Sequence, residues 1–198
     1  GEMRERIGAL VGKERGEALF AGTFHSFCLE LLRKHLDKIG FPRGFYLCDT
    51  GDQISTIKGA MGEFATADAK KRPGDVLAAI SLFKSRLIKP HQALAAARDI
   101  DEELIAKTWE RYEERLRHSR LLDFDDLLLR ALDLFDSHPE VLKEVQEQYR
   151  YLFVDEYQDT NKPQYEIVRR IAEGHGNLCV VGDDDQSIYG WRGADITN

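Results

Sequence analysis

At 198 residues, 42% of them hydrophobic and 32% charged, the chain is long enough to bury a core and build one or two domains, and no apolar run approaches the roughly 18 residues a membrane span needs. Cys28, Cys48 and Cys179 are odd in number, widely scattered and free of any CxxC pair; this argues against a disulfide framework or a zinc site and, with no signal peptide visible, points to a reducing, cytoplasmic setting without membrane contact. A net charge of −7 speaks against a generic nucleic-acid binder, although residues 44–120, with 13 basic and 12 acidic side chains, escape the acidic bias.

Residues 1–13 (GEMRERIGALVGK) have a helical composition that ends near Gly12. Gly8, Gly12, Lys13 and Glu14 come near a phosphate loop, but the spacing is G-x3-G-K and Glu14 stands where Ser or Thr is needed. No strand precedes them to aim backbone amides at a phosphate, so no Walker A motif is read here. Residues 18–23 read as a short strand running into a helix near His25, with Phe27, Leu31 and Leu36 on its apolar side. The TFHS turn brings together a hydroxyl, an imidazole and a helix N-terminus. Thr23 and Ser26 either cap that helix or, with His25, contact a phosphate backbone.

The GFPRG stretch, residues 40–44, is a break and marks a domain boundary. Residues 45–120 read as helices with polar connections. Lys70, Lys71 and Arg72 form a basic loop, either solvated or facing duplex DNA, and Lys89-Pro90 interrupts a helix. Asp99 or Asp101 caps the next helix, and its stripe of Ile105, Trp109, Tyr112 and Leu116 reads as core. Asp123 opens a further helix with Phe124, Leu127, Leu128, Ala131 and Phe135 on one face, and Asp126 suits the positive end of its dipole. Pro139 starts another helix, which runs to Arg150.

Residues 151–154 (YLFV) read as a buried strand that ends in Asp155 and Glu156. Both carboxylates then stand at the strand's C-terminal edge, where open α/β sheets bind ligands. The first acid can hold Mg²⁺ through its water shell, and the second can orient and deprotonate an attacking water. Gln158 and Asp159 lie in the turn that follows, and residues 163–172 form a helix. Residues 178–181 read as a second buried strand, ending in Gly182-Asp183 with Gln186 just beyond. Two successive strands delivering polar groups to one edge suggest a nucleotide site. Tyr189, Trp191 and Arg192 follow within a few residues. Aromatic rings offer bases stacking worth roughly 1–3 kcal/mol each, and arginine adds phosphate or cation–π contact. The other reading of Trp191 is a packed interface side chain.

The strings VDEYQDTN (residues 154–161) and VGDDDQSIYGWRGADI (residues 181–196) resemble motifs II and III of the superfamily 1A DNA helicases, the UvrD/Rep/PcrA group. GTFHSFCLELLRKH (residues 22–35) resembles that group's motif Ib, LDFDDLL (residues 122–128) its motif Id, and GEMRERI the tail of its motif Ia. The resemblance implies an α/β fold: a partial RecA-like parallel sheet of the P-loop NTPase type, interrupted by an all-helical insertion domain. Residues 1–43 and 121–198 would form part of motor domain 1A, and residues 44–120 the insertion, domain 1B. It implies ATP and Mg²⁺ as cofactors, with Asp155, Glu156 and Gln186 catalytic, Asp155 and Gln186 on the nucleotide, and Asp155 carrying the metal through water. Thr23, His25, Phe124, Tyr189, Trp191 and Arg192 would touch DNA.

The expected activity is ATP-driven 3′→5′ DNA unwinding or translocation, with single-stranded and fork DNA and a second motor domain as partners. The family's phosphate loop and first strand would lie before Gly1 and its later motifs after Asn198, so this chain alone is expected to be inactive, with an unpaired sheet edge. Two other classes stay open. Asp123, Asp125, Asp126, Asp155 and Glu156 can be read as converging on two metals in a nuclease, and the chain can be read as a non-catalytic module that binds single strands.

Overall fold

A computed structural model describes residues 2–41, 44–64, 71–183 and 185. In chain order its elements are α1 (Glu2–Val11), α2 (Lys13–Ala18), α3 (Phe24–His35), a 3₁₀ turn (Leu36–Ile39), β1 (Tyr46–Leu47), α4 (Thr50–Met61), α5 (Pro73–Ser85), α6 (Pro90–Ala96) and α7 (Ile100–His118). There follow β2 (Leu121–Leu122), α8 (Phe124–Ser137), α9 (Pro139–Gln148), β3 (Leu152–Val154), a second 3₁₀ turn (Tyr157–Asp159), α10 (Lys162–Ala172) and β4 (Leu178–Val180). Local chemistry sets most of the helix starts. α3, α4, α7, α8 and α10 open on Thr23, Asp49, Asp99, Asp123 and Asn161, whose side-chain oxygens accept from a backbone N–H three residues on. α5, α6 and α9 carry proline in the first turn, where its missing N–H costs nothing. None of the helices among the described residues is long and apolar enough to cross a membrane.

The strands form two parallel ladders. Tyr46 and Leu47 of β1 pair with Leu121 and Leu122 of β2. Leu152, Phe153 and Val154 of β3 pair with Leu178, Cys179 and Val180 of β4. Two expectations are corrected here. Residues 18–23 are not a strand: Ala18 closes α2, and the extended residues after it meet no partner strand among the described residues. Nor are β3 and β4 buried, for Phe153 is 80% exposed and all three residues of β4 are exposed. A parallel strand is buried only when layers cover both its faces. Here Leu152 packs on the helical core, and the opposite face, with Tyr151 and Phe153, stays open.

Two apolar cores divide the helices. One gathers Cys28, Leu32 and Leu36 with Leu127, Leu128, Ala131, Phe135, Val141 and Ile167, from α3, the first 3₁₀ turn, α8, α9 and α10. The other gathers Ile57, Val76, Ile80, Trp109, Tyr112 and Leu116, from α4, α5 and α7. The periodic stripe on α7 is core as the spacing requires, with Trp109 stacked on Phe83 at 5.7 Å between ring centroids.

A polar joint connects these cores. Lys84, on α5 and 1% exposed, places its Nζ 2.7 Å from Glu113, 2.8 Å from Asp123 and 2.8 Å from Asp126. The Tyr112 hydroxyl donates to Asp123 at 3.0 Å. Burial disfavours the ammonium, but the three carboxylates outweigh it and hold Lys84 well above the ordinary lysine range. Burial likewise disfavours charge on Asp123, and Lys84 outweighs it, keeping Asp123 below its usual value. Asp126 is pushed up by burial against the pull of Lys84. Removing one partner of a buried ion pair costs about 3–5 kcal/mol because the remaining charge is stranded. Lys84→Met should therefore lower the unfolding free energy in urea by about that amount, and adding Asp126→Asn should recover part of it by removing one stranded carboxylate.

Candidate functional site

The chain leaves β3 through Asp155 and Glu156, both exposed, and turns sharply. Glu156 adopts a left-handed conformation, φ 53° and ψ 41°, which is uncommon for a residue with a β-carbon. Its N–H donates to Asp155 Oδ1 at 2.9 Å. The turn closes as a 3₁₀ helix in which the Thr160 hydroxyl donates to the Tyr157 carbonyl at 2.7 Å, and Asn161 then caps α10. Four letters of DEYQDTN thus have a visible local place: two acids at the strand end, a hydroxyl closing the turn, an amide starting the next helix.

Gln158 stitches this corner to the end of β4. It is 5% exposed. Its Nε2 donates to Glu156 Oε2 at 2.7 Å, and its Oε1 accepts from the Asp183 N–H at 3.0 Å. Backbone bonds run alongside, from Val181 N–H to the Val154 carbonyl at 2.8 Å and from Tyr157 N–H to the Val181 carbonyl at 3.0 Å. The approach is close enough to require glycine at 182: a β-carbon there would stand 2.6 Å from Gln158 Oε1 and 3.2 Å from its backbone nitrogen. Asp155, Glu156 and the Gly182–Asp183 turn therefore occupy one edge of the β3–β4 ladder.

A second group forms where α3 and α8 begin side by side. Thr23 caps α3, its Oγ1 accepting from Ser26 N–H at 3.2 Å while the Ser26 hydroxyl donates to the Thr23 carbonyl at 2.8 Å. The His25 and Phe124 rings meet edge to face with centroids 5.8 Å apart. Phe124 is 52% exposed, unlike the buried Leu127, Leu128, Ala131 and Phe135 of its helix. Burial lowers the His25 pKa and favours the neutral ring. The structure thus brings Thr23, His25 and Phe124 together on one face. Gln186, Tyr189, Trp191 and Arg192 lie outside the described residues.

Other sequence readings resolve differently. The five-acid nuclease arrangement does not form: Asp123 and Asp126 are buried and bonded to Lys84, and the described residues contain no group of three or more His, Cys, Asp or Glu placed to hold a metal. Gly12, at φ 94°, joins α1 to α2 rather than a strand to a helix. In the basic loop, Lys71 lies 4.0 Å from Asp101 and Arg72 lies 3.3 Å from Asp75, while Lys70 is outside the described residues.

Over residues 1–198 the sequence matches the UvrD/REP helicase N-terminal domain. The chain belongs to this family. It is 43% identical over 197 residues to the ATP-dependent DNA helicase PcrA of Bacillus subtilis (strain 168), covering 100% of this chain and 26% of that protein. It is 44% identical over 197 residues to the protein of the same name from Staphylococcus aureus (strain Mu50), covering 100% of this chain and 27% of that one. The chain thus spans about a quarter of the length of the curated relatives it matches.

Within this UvrD/REP domain, sequence reasoning missed two side chains. It placed Gln158 in the turn without a role, though an amide two residues after a carboxylate can donate to it and still accept elsewhere. Lys84 carried no signal at all, because its partners lie 29, 39 and 42 residues away. Gln158→Ala removes the bonds to Glu156 and to the Asp183 N–H, both at exposed residues, and should cost about 0.5–1.5 kcal/mol per lost bond in urea unfolding. Gly182→Ala should also destabilise, but less in the Gln158→Ala background, where the nearest obstructing atom has gone.

Proposed function

We propose that this chain is the first motor region of an ATP-dependent DNA helicase or translocase that moves 3′→5′ on single strands. The observation that carries this reading is the polar edge of β3 and β4, where Asp155 and Glu156 are bonded through Gln158 to the Gly182–Asp183 turn. Family membership and the printed names of the relatives support it. Residues 1–43 and 121–198 then belong to a partial RecA-like motor domain, and residues 44–120 to a helical insertion. The two separate apolar cores support that division.

In this reading ATP with Mg²⁺ supplies the transferable γ-phosphoryl group. Asp155, its Oδ1 steadied by the Glu156 N–H, would hold Mg²⁺ through its water shell, and the ion would supply charge neutralisation at the phosphates. Glu156 orients and deprotonates the attacking water, with the Gln158 amide fixing one of its oxygens. Gln186 bonds the γ-phosphate from the segment that continues past Asp183. Tyr189, Trp191 and Arg192, a few residues further on, engage the strand, so one stretch of chain reports the state of the nucleotide to the DNA. Thr23, His25 and Phe124 hold the strand at the start of α3 and α8, with phosphate favoured at the N-terminus of α3, whose first turn carries no acidic side chain. Partners are single-stranded and fork DNA and a second motor domain.

In this reading the chain by itself binds single strands weakly and turns over no ATP. The test measures ATP hydrolysis by the chain, with and without oligo(dT), and strand binding by fluorescence anisotropy at two salt concentrations. No turnover is expected, together with salt-sensitive binding that Phe124→Ala weakens about 5- to 100-fold, the equivalent of one lost stacking partner. DNA-stimulated turnover abolished by both Glu156→Gln and Lys13→Ala would instead make the Gly8–Lys13 segment a working phosphate site.

A further inference from the structure

Phe124 owes its position to the residue before it. Asp123 Oδ1 accepts from the Asp126 N–H at 2.8 Å and so caps α8. Its Oδ2 accepts from Lys84 at 2.8 Å and from the Tyr112 hydroxyl at 3.0 Å. Asp126 returns the cap through Oδ2, which accepts from the Asp123 N–H at 3.3 Å, and gives Oδ1 to Lys84 at 2.8 Å. All four carboxylate oxygens of Asp123 and Asp126 are therefore committed. Glu113 closes the ring on the other side, one oxygen on Lys84 at 2.7 Å and the other on Arg130 at 3.1 Å.

We propose that Lys84 is a positioning residue for the strand-binding face: it ties the first turn of α8 to the 44–120 segment and thereby sets Phe124 against His25. The proposal rests on reading Thr23, His25 and Phe124 as strand contacts. Well-packed apolar side chains serve stability as well as a buried ion pair does, or better, but they tolerate small rotations of a helix. Three short ion pairs converging on one Nζ do not. A slight turn of α8 would break the two made by Asp123 and Asp126 and swing Phe124, the first residue of that helix, away from the His25 ring. Any ligand that displaces the 44–120 segment would act on the strand-binding face through this same joint.

The test is a double-mutant cycle read by anisotropy with labelled oligo(dT). Lys84→Met/Asp126→Asn, which removes one stranded carboxylate with the ammonium, is compared with the parent, and the same pair of changes is made on Phe124→Ala. If Lys84 acts through Phe124, the joint variant weakens binding about fivefold or more when Phe124 is present and less than about twofold when it is absent. Equal losses in both backgrounds, or no loss, overturn the proposal. A parent chain that binds no strand, or a Phe124→Ala variant that binds as well as the parent, removes instead the strand-contact reading beneath it. An NMR measurement free of DNA reads the geometry itself. The cross-peak between the His25 and Phe124 rings should weaken in the joint variant, and its retention at full strength would contradict the proposal.

Discussion

A lysine ammonium without water is the constraint on which this structure turns. Lys84 cannot remain charged at 1% exposure unless its partners follow it inside. They arrive from different parts of the chain: Glu113 from α7, Asp123 and Asp126 from the start of α8. Since each partner is also committed to a cap, a hydroxyl or an arginine, three helices are fixed relative to one another by direction as well as by contact. Apolar packing holds each core together internally and reaches between them through Phe45 and Leu87, which pack on the first core; the polar joint and the two-residue ladder of β1 and β2 add direction to that link.

The edge carrying Asp155 and Glu156 is ordered by a different means. β3 and β4 have three residues each and leave one face open, so burial contributes little there. Order comes from polar bonds that cross between the strand ends, with Gln158 giving a donor to one side and an acceptor to the other. The Glu156 carboxylate is held by that arrangement. It stays exposed to a substrate while a buried neutral neighbour fixes its direction.

What was legible in the sequence followed from local rules. The caps at Thr23, Asp99 and Asp123 and the α7 stripe depend on residues three or four apart, and periodicity finds them. The acids at the end of β3 depend on chain order alone. Burial of β3 and β4 did not follow, because an apolar run shows only that a strand can be covered, while its coverage is decided by other layers. Residues 18–23 failed for a related reason, since an extended segment becomes a strand only where a neighbour accepts its hydrogen bonds. Lys84 looked like an ordinary lysine near the end of an apolar helix. Nothing within a helical turn of it announces the acids it meets, so the joint, and its bearing on Phe124, emerges only in three dimensions.

We propose that Glu156 acts on a nucleotide at this edge and makes no contact with the strand itself. The most direct measurement is strand-stimulated ATP hydrolysis by the intact protein carrying this chain, with Glu156→Gln beside the parent and strand affinity recorded for both. A lost general base should lower turnover by about 10²- to 10⁴-fold while leaving single-strand affinity within about twofold. Undiminished turnover in the Glu156→Gln protein would contradict the account.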